Sequence, residues 1–387
     1  MSTYRLLITD MSREELAEQK ERYEGWTILS PEKEIHPCIG CFSCWNKTPG
    51  RCVFKDGYDQ MAALINEAEE IVYNSRYTYG GFSSFVKNVF DRSIGYVLPY
   101  FEVSENEMHH KRRYPDVKDI TFIFRGRNLS EEEKACAEQY VHAVCRNMRN
   151  RVKEVLFEEE TVLPGPEKKE VPPVHEKLIL LNCSLRGKNA NSETFLSEMA
   201  AHLQREYTFL RLSEYQNRQE KLIDQLMQAE TLVLSMPLYV DGLSSTVIRL
   251  LDRLTLAGFG TGRKVFVLSN LGLYESHQMK NLLSMIRAWC DVSGCEYSGS
   301  VVISAGELIG VLIRYLKSGP VRGVTKALAA LAEHVNTGTA MEDRYVQPLM
   351  FPRWLYIQIA NRSWDRQALA SHMKPNDLKI CPHYVKD

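Results

Sequence analysis

The chain of 387 residues has no long apolar run, and nothing in it approaches the roughly 20 consecutive apolar residues of a membrane-spanning helix. Charge of one sign is not in excess either. Lys and Arg number 48 against 49 Asp and Glu, which removes a broad electrostatic reason for a nucleic-acid or membrane partner and favours small-molecule or protein partners. The opening stretch MSTYRLLITDMSREE lacks a basic segment leading into an apolar one, so the expectation is a cytoplasmic protein. Cytosolic thiols are normally held reduced, and the ten cysteines are then poorly explained as structural disulfides.

Two domains with room for an extension are expected at this length. Apolar, β-rich runs alternate with amphipathic helical stretches twice over, the pattern of a parallel sheet covered by helices on both faces. In the first half, strands are expected near Tyr4–Ile8, Trp26–Leu29, Ile71–Asn74, Ile120–Phe124 and Val152–Leu156, with helices near 58–69, 83–93 and 130–148. The second half restarts with strands near Leu178–Leu181, Thr208–Leu212, Leu232–Ser235, Val265–Ser269 and Ser300–Ser304. Between them, 161–176 carries five prolines and glycines among charges, a composition that sustains neither a helix nor a central strand. The expected division is 1–160, a linker at 161–176, 177–340, and an aromatic C-terminal extension at 341–387.

An internal echo supports duplication. Ile71-Val72-Tyr73, Ser83-Ser84 and Asp91-Arg92 are matched at one constant offset by Leu232-Val233-Leu234, Ser244-Ser245 and Asp252-Arg253.

Cys38, Cys41, Cys44 and Cys52 form C-x2-C-x2-C-x7-C. Three thiolates on one compact loop with a fourth close behind suit a [4Fe-4S] cluster, whereas structural zinc usually takes separated pairs. Zinc and free reactive thiols stay open as alternatives. Cys136, Cys145, Cys183, Cys290, Cys295 and Cys381 are scattered and read as small apolar side chains.

The first strand of the second half runs into a polar loop from Cys183 to Thr194. Free backbone N–H groups and a helix dipole favour an anion at such a junction, and Ser184, Arg186, Asn191, Ser192 and Thr194 add donors. Ser192 also suits an ordinary N-cap of a helix starting near Thr194. In an open parallel sheet, ligands bind beyond the carboxyl ends of the strands where strand order reverses. The third strand ends there in Met236-Pro237-Leu238-Tyr239-Val240-Asp241-Gly242, in which Pro237, Leu238, Tyr239, Val240 and Gly242 offer a flat wall and main-chain groups for a flavin ring. The loop Asn270–Tyr274, with Asn270 and Gly272, is the next such loop. In the first half the corresponding loop is Thr9-Asp10-Met11-Ser12-Arg13-Glu14-Glu15, whose carboxylates repel a phosphate, so a flavin site there is read as degenerate.

These motifs resemble the NADPH-dependent FMN reductase branch of the flavodoxin-like superfamily, and specifically its iron-sulfur flavoproteins. Pro37–Trp45 with Gly50-Arg51-Cys52 and Lys55-Asp56 is similar to that family's cluster motif, and Met108–Tyr114 looks like a segment of its single-domain members. Ser184–Thr194 resembles its phosphate loop, and Pro237-Leu238-Tyr239 with Leu251-Asp252-Arg253 its ring-binding loop and following helix.

The resemblance implies an α/β fold of two tandem flavodoxin-like, doubly wound five-stranded parallel sheets with helices on both faces, plus a helical C-terminal extension. It implies FMN and a [4Fe-4S] cluster as cofactors, NAD(P)H or ferredoxin as electron donor, a small-molecule or protein acceptor, and a homo-oligomer. The expected labour is divided, with the cluster in the first domain and FMN in the second. Arg76, standing where the second half has Pro237, departs from the pattern, although Tyr77–Gly81 could still touch a flavin. His109 and His110 beside Lys111, Arg112 and Arg113 read as a solvated basic loop. No nicotinamide fingerprint and no dedicated acid or base is identifiable. A non-enzymatic electron carrier and a zinc-stabilised scaffold with vestigial flavin sites are the competing functions.

Overall fold

The computed structural model describes residues 4–160, 176–316, 318–348 and 351–385. The expected linker at 161–176 lies outside them, apart from Glu176. The chain forms two compact units: Met1–Leu163 with Tyr239–Ile248 and Ile357–Asp387, and Pro164–Leu238 with Arg249–Tyr356, each described below over its described residues.

The first unit runs β1 (Arg5–Thr9), α1 (Arg13–Glu18), β2 (Thr27–Leu29), α2 (Ser43–Asn46), α3 (Met61–Glu67), β3 (Glu70–Thr78), β4 (Gly81–Phe82), α4 (Ser84–Arg92), β5 (Val97–Ser104), β6 (Glu107–Arg112), β7 (Asp119–Gly126), α5 (Glu131–Asn147) and β8 (Arg151–Glu159). Its sheet has the order β2-β1-β3-β7-β8, with parallel pairing throughout that path. The central strands are buried on both faces, which is why they read as continuous apolar runs. The core is aromatic: Phe82 stacks on Phe122 at 5.9 Å and on Phe124 at 5.5 Å, and meets Tyr140 edge-on.

The second unit follows with β9 (Lys177–Asn182), α6 (Asn191–Ala200), β10 (Tyr207–Arg211), α7 (Gln219–Leu226), β11 (Ala229–Pro237), α8 (Ser245–Leu256), β12 (Lys264–Asn270), α9 (Lys280–Ser293), β13 (Glu296–Ile303), α10 (Gly306–Leu312), α11 (Arg322–Thr337), β14 (Arg344–Val346) and α12 (Arg353–Ala370). Of these, Tyr239–Ile248 and the part of α12 from Ile357 onward count with the first unit. The sheet order is β10-β9-β11-β12-β13-β14, all parallel. The core here is mainly aliphatic, built from Leu178, Leu180, Leu196, Leu268, Val301, Ile303, Leu328 and Leu331 around Phe195 and Phe266.

The ten expected strands are present, and both sheets have the doubly wound order in which the first strand lies between the second and third. Each sheet is six-stranded rather than five-stranded. In the first, β4 folds back antiparallel on the end of β3; in the second, β14 pairs with β13. A two-strand insertion also replaces the expected basic loop at 108–114. Glu107–Arg112 is a strand paired antiparallel with Val97–Ser104; Met108 and His109 are buried, whereas Lys111 and Arg112 at its end are exposed.

Candidate functional site

The cysteine loop of the first unit is held at its base by one buried helix. From α4, Arg92 donates to both oxygens of Asp56 at 2.7 and 2.9 Å, to the His36 carbonyl at 2.7 Å and to the Phe54 carbonyl at 3.1 Å. It thereby ties together the residues on either side of the four cysteines. Burial raises the Asp56 carboxyl, but the Arg92 guanidinium and the His36 and Tyr58 N–H groups hold it below its ordinary value. One turn earlier on α4, Asn88 Oδ1 accepts the Cys38 N–H at 3.3 Å. Inside the loop, Gly40 and Phe42 have φ of 65° and 58° on either side of Cys41. The strained Phe42 is held by stacking on Trp45 at 5.1 Å.

The four thiols lie within electrostatic reach of one another, and burial pushes the Cys38 thiol up to about 12 and Cys44 well up. Cys41 is exposed and the other three are half-buried. Among the described residues no three His, Cys, Asp or Glu side chains converge as ligands of a single metal ion. Two cations face the loop with unused donors: Arg92 Nε and Arg113 Nη2 are buried without an acceptor among the described residues. A donor set of four thiols beside two buried guanidinium groups fits an anionic cluster.

α4 carries a second load. Asp91, fully buried, pairs with Lys87 and accepts the Ser245 N–H at 3.0 Å, while Ser245 Oγ donates to Asn88 Oδ1 at 3.2 Å. Lys87 Nζ also donates to the Tyr239 carbonyl at 2.9 Å. Tyr239 and Gly242 close a two-residue turn with reciprocal hydrogen bonds of 3.1 and 3.0 Å, in which Val240 and Asp241 both take the left-handed conformation, φ 37° and 61°. Asn147 Nδ2 donates to Asp241 Oδ1 at 2.6 Å. Burial pushes the Asp241 carboxyl up to about 7, against the pull of Asn147 and Lys87. Of the predicted ring-wall residues, Tyr239, Val240 and Gly242 therefore belong to the first unit, and Pro237 and Leu238 end β11 of the second.

At the carboxyl end of β1 in the first unit, the position of the expected degenerate site is filled by the protein's own charges. Arg125 pairs with Asp10, with Glu15 at 3.1 Å and with Glu160 at 3.2 Å. Arg76 pairs with Glu160 at 2.7 Å, and its N–H donates to both Asp10 oxygens at 3.2 Å. Ser12 and Glu15 form a reciprocal capping box that satisfies the start of α1.

The second unit arranges the equivalent junction otherwise. Helix α6 starts at Asn191 rather than near Thr194. Its N-cap is Ala190, with no side-chain cap, so Ser192 is not an N-cap. Its Oγ donates instead to Asn182 Oδ1 at 2.9 Å. Asn182, fully buried at the end of β9, also accepts the Ser184 N–H at 3.0 Å and donates to Glu193 Oε2 at 2.8 Å and the Gly187 carbonyl at 3.2 Å. Arg211 holds the other Glu193 oxygen at 2.7 and 2.8 Å, so both oxygens of the one carboxylate in the first helical turn are engaged. Arg186 lies 3.7 Å from Glu307, and Arg314 donates to Thr194 Oγ1 at 2.9 Å. A side chain at Gly310 would strike Asn191, so α10 passes close over the loop.

Asn270 Oδ1, at the end of β12, is buried without a partner among the described residues, and the Asn270 carbonyl accepts the Leu238 N–H at 2.9 Å. Beside Gly272 there is open space where a side chain would be. Within this unit, uncapped N–H groups, basic neighbours and an orphaned amide oxygen fit a phosphate and a polar ring edge. Asn182, Arg211 and Arg314 were missed by sequence reasoning; only the position of Asn182 at the end of the first strand could have marked it.

His109 is fully buried, with Nδ1 2.6 Å from Asn147 Oδ1 and Nε2 3.4 Å from Glu107. His110 packs on Trp45 at 4.8 Å, and burial holds its imidazole down at about 4. Neither belongs to a solvated loop, because the β5–β6 pairing folds them inward.

No family profile matches the chain. An iron-sulfur flavoprotein of Methanocaldococcus jannaschii is 37% identical over 83 residues, covering 20% of this chain and 42% of that protein. The chain thus spans about two fifths of that relative's length. Solved structures that align include an FMN-dependent NADH-azoreductase from Bacillus anthracis in complex with FMN, at 15% identity over 42% of this chain and 100% of that one, TM-score 0.31. An apo NADH:FMN oxidoreductase aligns at 13% identity over 43% and 92%, TM-score 0.35. Trp repressor binding protein from Bacillus subtilis aligns at 16% identity over 41% and 96%, TM-score 0.31. Over those 83 residues the chain is similar to the methanocaldococcal protein.

Proposed function

We propose that the chain is a flavin-dependent oxidoreductase that moves electrons between a reduced donor and an acceptor through FMN and a [4Fe-4S] cluster. Cys38, Cys41, Cys44 and Cys52 would hold the cluster. Ser184, Arg186, Asn191, Ser192 and Thr194 would take the FMN phosphate, with Pro237, Leu238, Asn270 and Gly272 of the same unit toward the ring. When bound, FMN supplies hydride and electron exchange and the cluster supplies single-electron transfer.

The observation that carries this reading is the double duty of α4: Asn88 Oδ1 accepts from both the Cys38 N–H and Ser245 Oγ. One buried side chain therefore braces the cysteine loop and the segment that follows the ring loop. The C-x2-C-x2-C-x7-C spacing, with three thiols on one compact loop, favours a cluster, whose four irons each take one thiolate, over zinc, which usually takes separated pairs.

The donor is proposed to be a nicotinamide, as in the NADH-dependent reductases that align with part of the chain, with ferredoxin as the alternative, and the acceptor a small molecule or protein. The test is anaerobic purification with a visible spectrum and quantified iron, sulfide, zinc and FMN, followed by NADH and NADPH titration. About four irons and one FMN per chain, with bleaching by a nicotinamide, are expected; a colourless zinc protein would overturn the reading.

A further inference from the structure

The C-terminal part of the first unit returns to the cysteine loop. Trp364, mostly buried, sets its edge against Trp45 at 5.3 Å and Phe42 at 5.7 Å, the residues on either side of Cys44. Further along, Pro382 packs where a side chain on Gly50 would sit, and Gly50 is the left-handed residue two before Cys52. Arg51 Nη2 donates to the His383 carbonyl at 3.1 Å, and Gln60 exchanges two hydrogen bonds with the Val385 backbone at 2.9 and 3.0 Å.

Arg113 fastens this segment from beneath. It is 5% exposed and gives Nη1 to the Leu378 and Ile380 carbonyls at 2.8 and 2.6 Å, and Nε to the Gly95 carbonyl at 2.6 Å. Gly95 is the backbone against which Cys44 and Gly50 pack closely. A guanidinium shared among three carbonyls is a strong anchor, because hydrogen bonds from charged donors outweigh neutral ones. The segment thus lies along the Phe42–Arg51 stretch, and Cys41 is exposed while Cys44 is not.

We propose that residues 364–385 are the closing wall of the cysteine-loop site, screening Cys44 from solvent and oxidants, with Arg113 as the positioning residue that keeps the wall shut. The wall gives the site one covered side and one open side, at Cys41. Its value rests on the cluster reading above, but the wall itself is testable without metal.

The metal-free full chain is treated anaerobically with iodoacetamide and labelling of each cysteine followed by mass spectrometry. Cys41 is expected to label rapidly and Cys44 at least about tenfold more slowly. In Trp364→Ala and in Arg113→Gln, Cys44 labelling accelerates about tenfold while Cys41 is unchanged. Loss of the Arg113 cation would by itself disfavour the reactive thiolate, so acceleration in that variant reports exposure. Cys145, buried in the core, monitors folding; if a variant makes Cys145 reactive, Gln60→Ala, which only unhooks Val385, is read in its place. Equal labelling of Cys44 and Cys41 in the unaltered chain, or unchanged Cys44 labelling in the variants, overturns the wall. Reconstitution of the unaltered chain with iron and sulfide then separates the two ideas: no iron bound means the cluster reading fails, whatever the labelling pattern.

Discussion

The two units share a strand order, and each begins with a strand running into a helix, yet the two junctions are built in opposite ways. In the first, Ser12 and Glu15 cap α1, and Asp10 and Glu15 are neutralised by Arg76 and Arg125. In the second, Ala190 leaves α6 without a side-chain cap, and Arg211 draws Glu193 aside. A helix start that binds its own carboxylate has no need of an outside anion, whereas one without a cap leaves its N–H groups and dipole to a ligand. A handful of residues at one turn therefore separates a self-sealed crevice from the one for which we propose a phosphate, on a common strand order.

The largest expected effect comes from unsealing the first crevice. Arg125→Ala strands Asp10, itself little exposed, and weakens the hold on Glu15 and Glu160; breaking a buried pair costs about 3–5 kcal/mol. Denaturant unfolding should show this loss in the first unit's transition with flavin content unchanged, and a loss below about 1 kcal/mol would mean the network does not hold that crevice.

Asp241 gives a pH-dependent contrast. Its carboxyl is raised to about 7 by burial, so the folded state holds a proton that the unfolded state releases near pH 4. Stability from this group is therefore lost as pH rises through that window, with the full penalty, on the order of 3–4 kcal/mol, above pH 7. Asp241→Asn should be more stable than the unaltered chain at pH 8 and no more stable at pH 4. A constant difference across pH would show that Asp241 does not titrate in the folded protein.

Next in size, Arg186→Ala should weaken FMN binding about 10–100-fold by fluorescence titration, since a charged hydrogen bond contributes about 1.5–3 kcal/mol; Arg76→Ala in the first unit should leave it unchanged. Smallest, Gly310→Ala presses a methyl group against the end of the Asn191 side chain, which can swing aside, so only a few-fold loss of FMN affinity is expected.

The sheets were legible because doubly buried parallel strands leave unbroken apolar runs, as in Leu178–Leu181 and Ile71–Tyr73. That Cys38, Cys41, Cys44 and Cys52 lie near one another was legible from their spacing. The β5–β6 hairpin was not, because Glu107–Arg112 is dense in charge and the partner of its buried His109, Asn147, is distant in sequence. Likewise Arg113, two of whose three acceptors lie more than 260 residues away, looked like one cation in a basic run. The internal echo marks a matching position, not a matching role: Asp91 and Arg92 are buried and brace two loops, whereas Arg253 at the matching position is exposed. Among the scattered cysteines, Cys145, Cys183, Cys290 and Cys295 are buried as expected of small apolar side chains, while Cys381 is exposed.

The most direct test of the divided scaffold is the iron and FMN content per chain of Cys41→Ala and Arg186→Ala beside the unaltered protein, all purified without oxygen. The account predicts that Cys41→Ala loses iron and keeps one FMN, and that Arg186→Ala loses FMN and keeps about four irons. Two FMN in the unaltered chain, or both cofactors lost together in both folded variants, would contradict it.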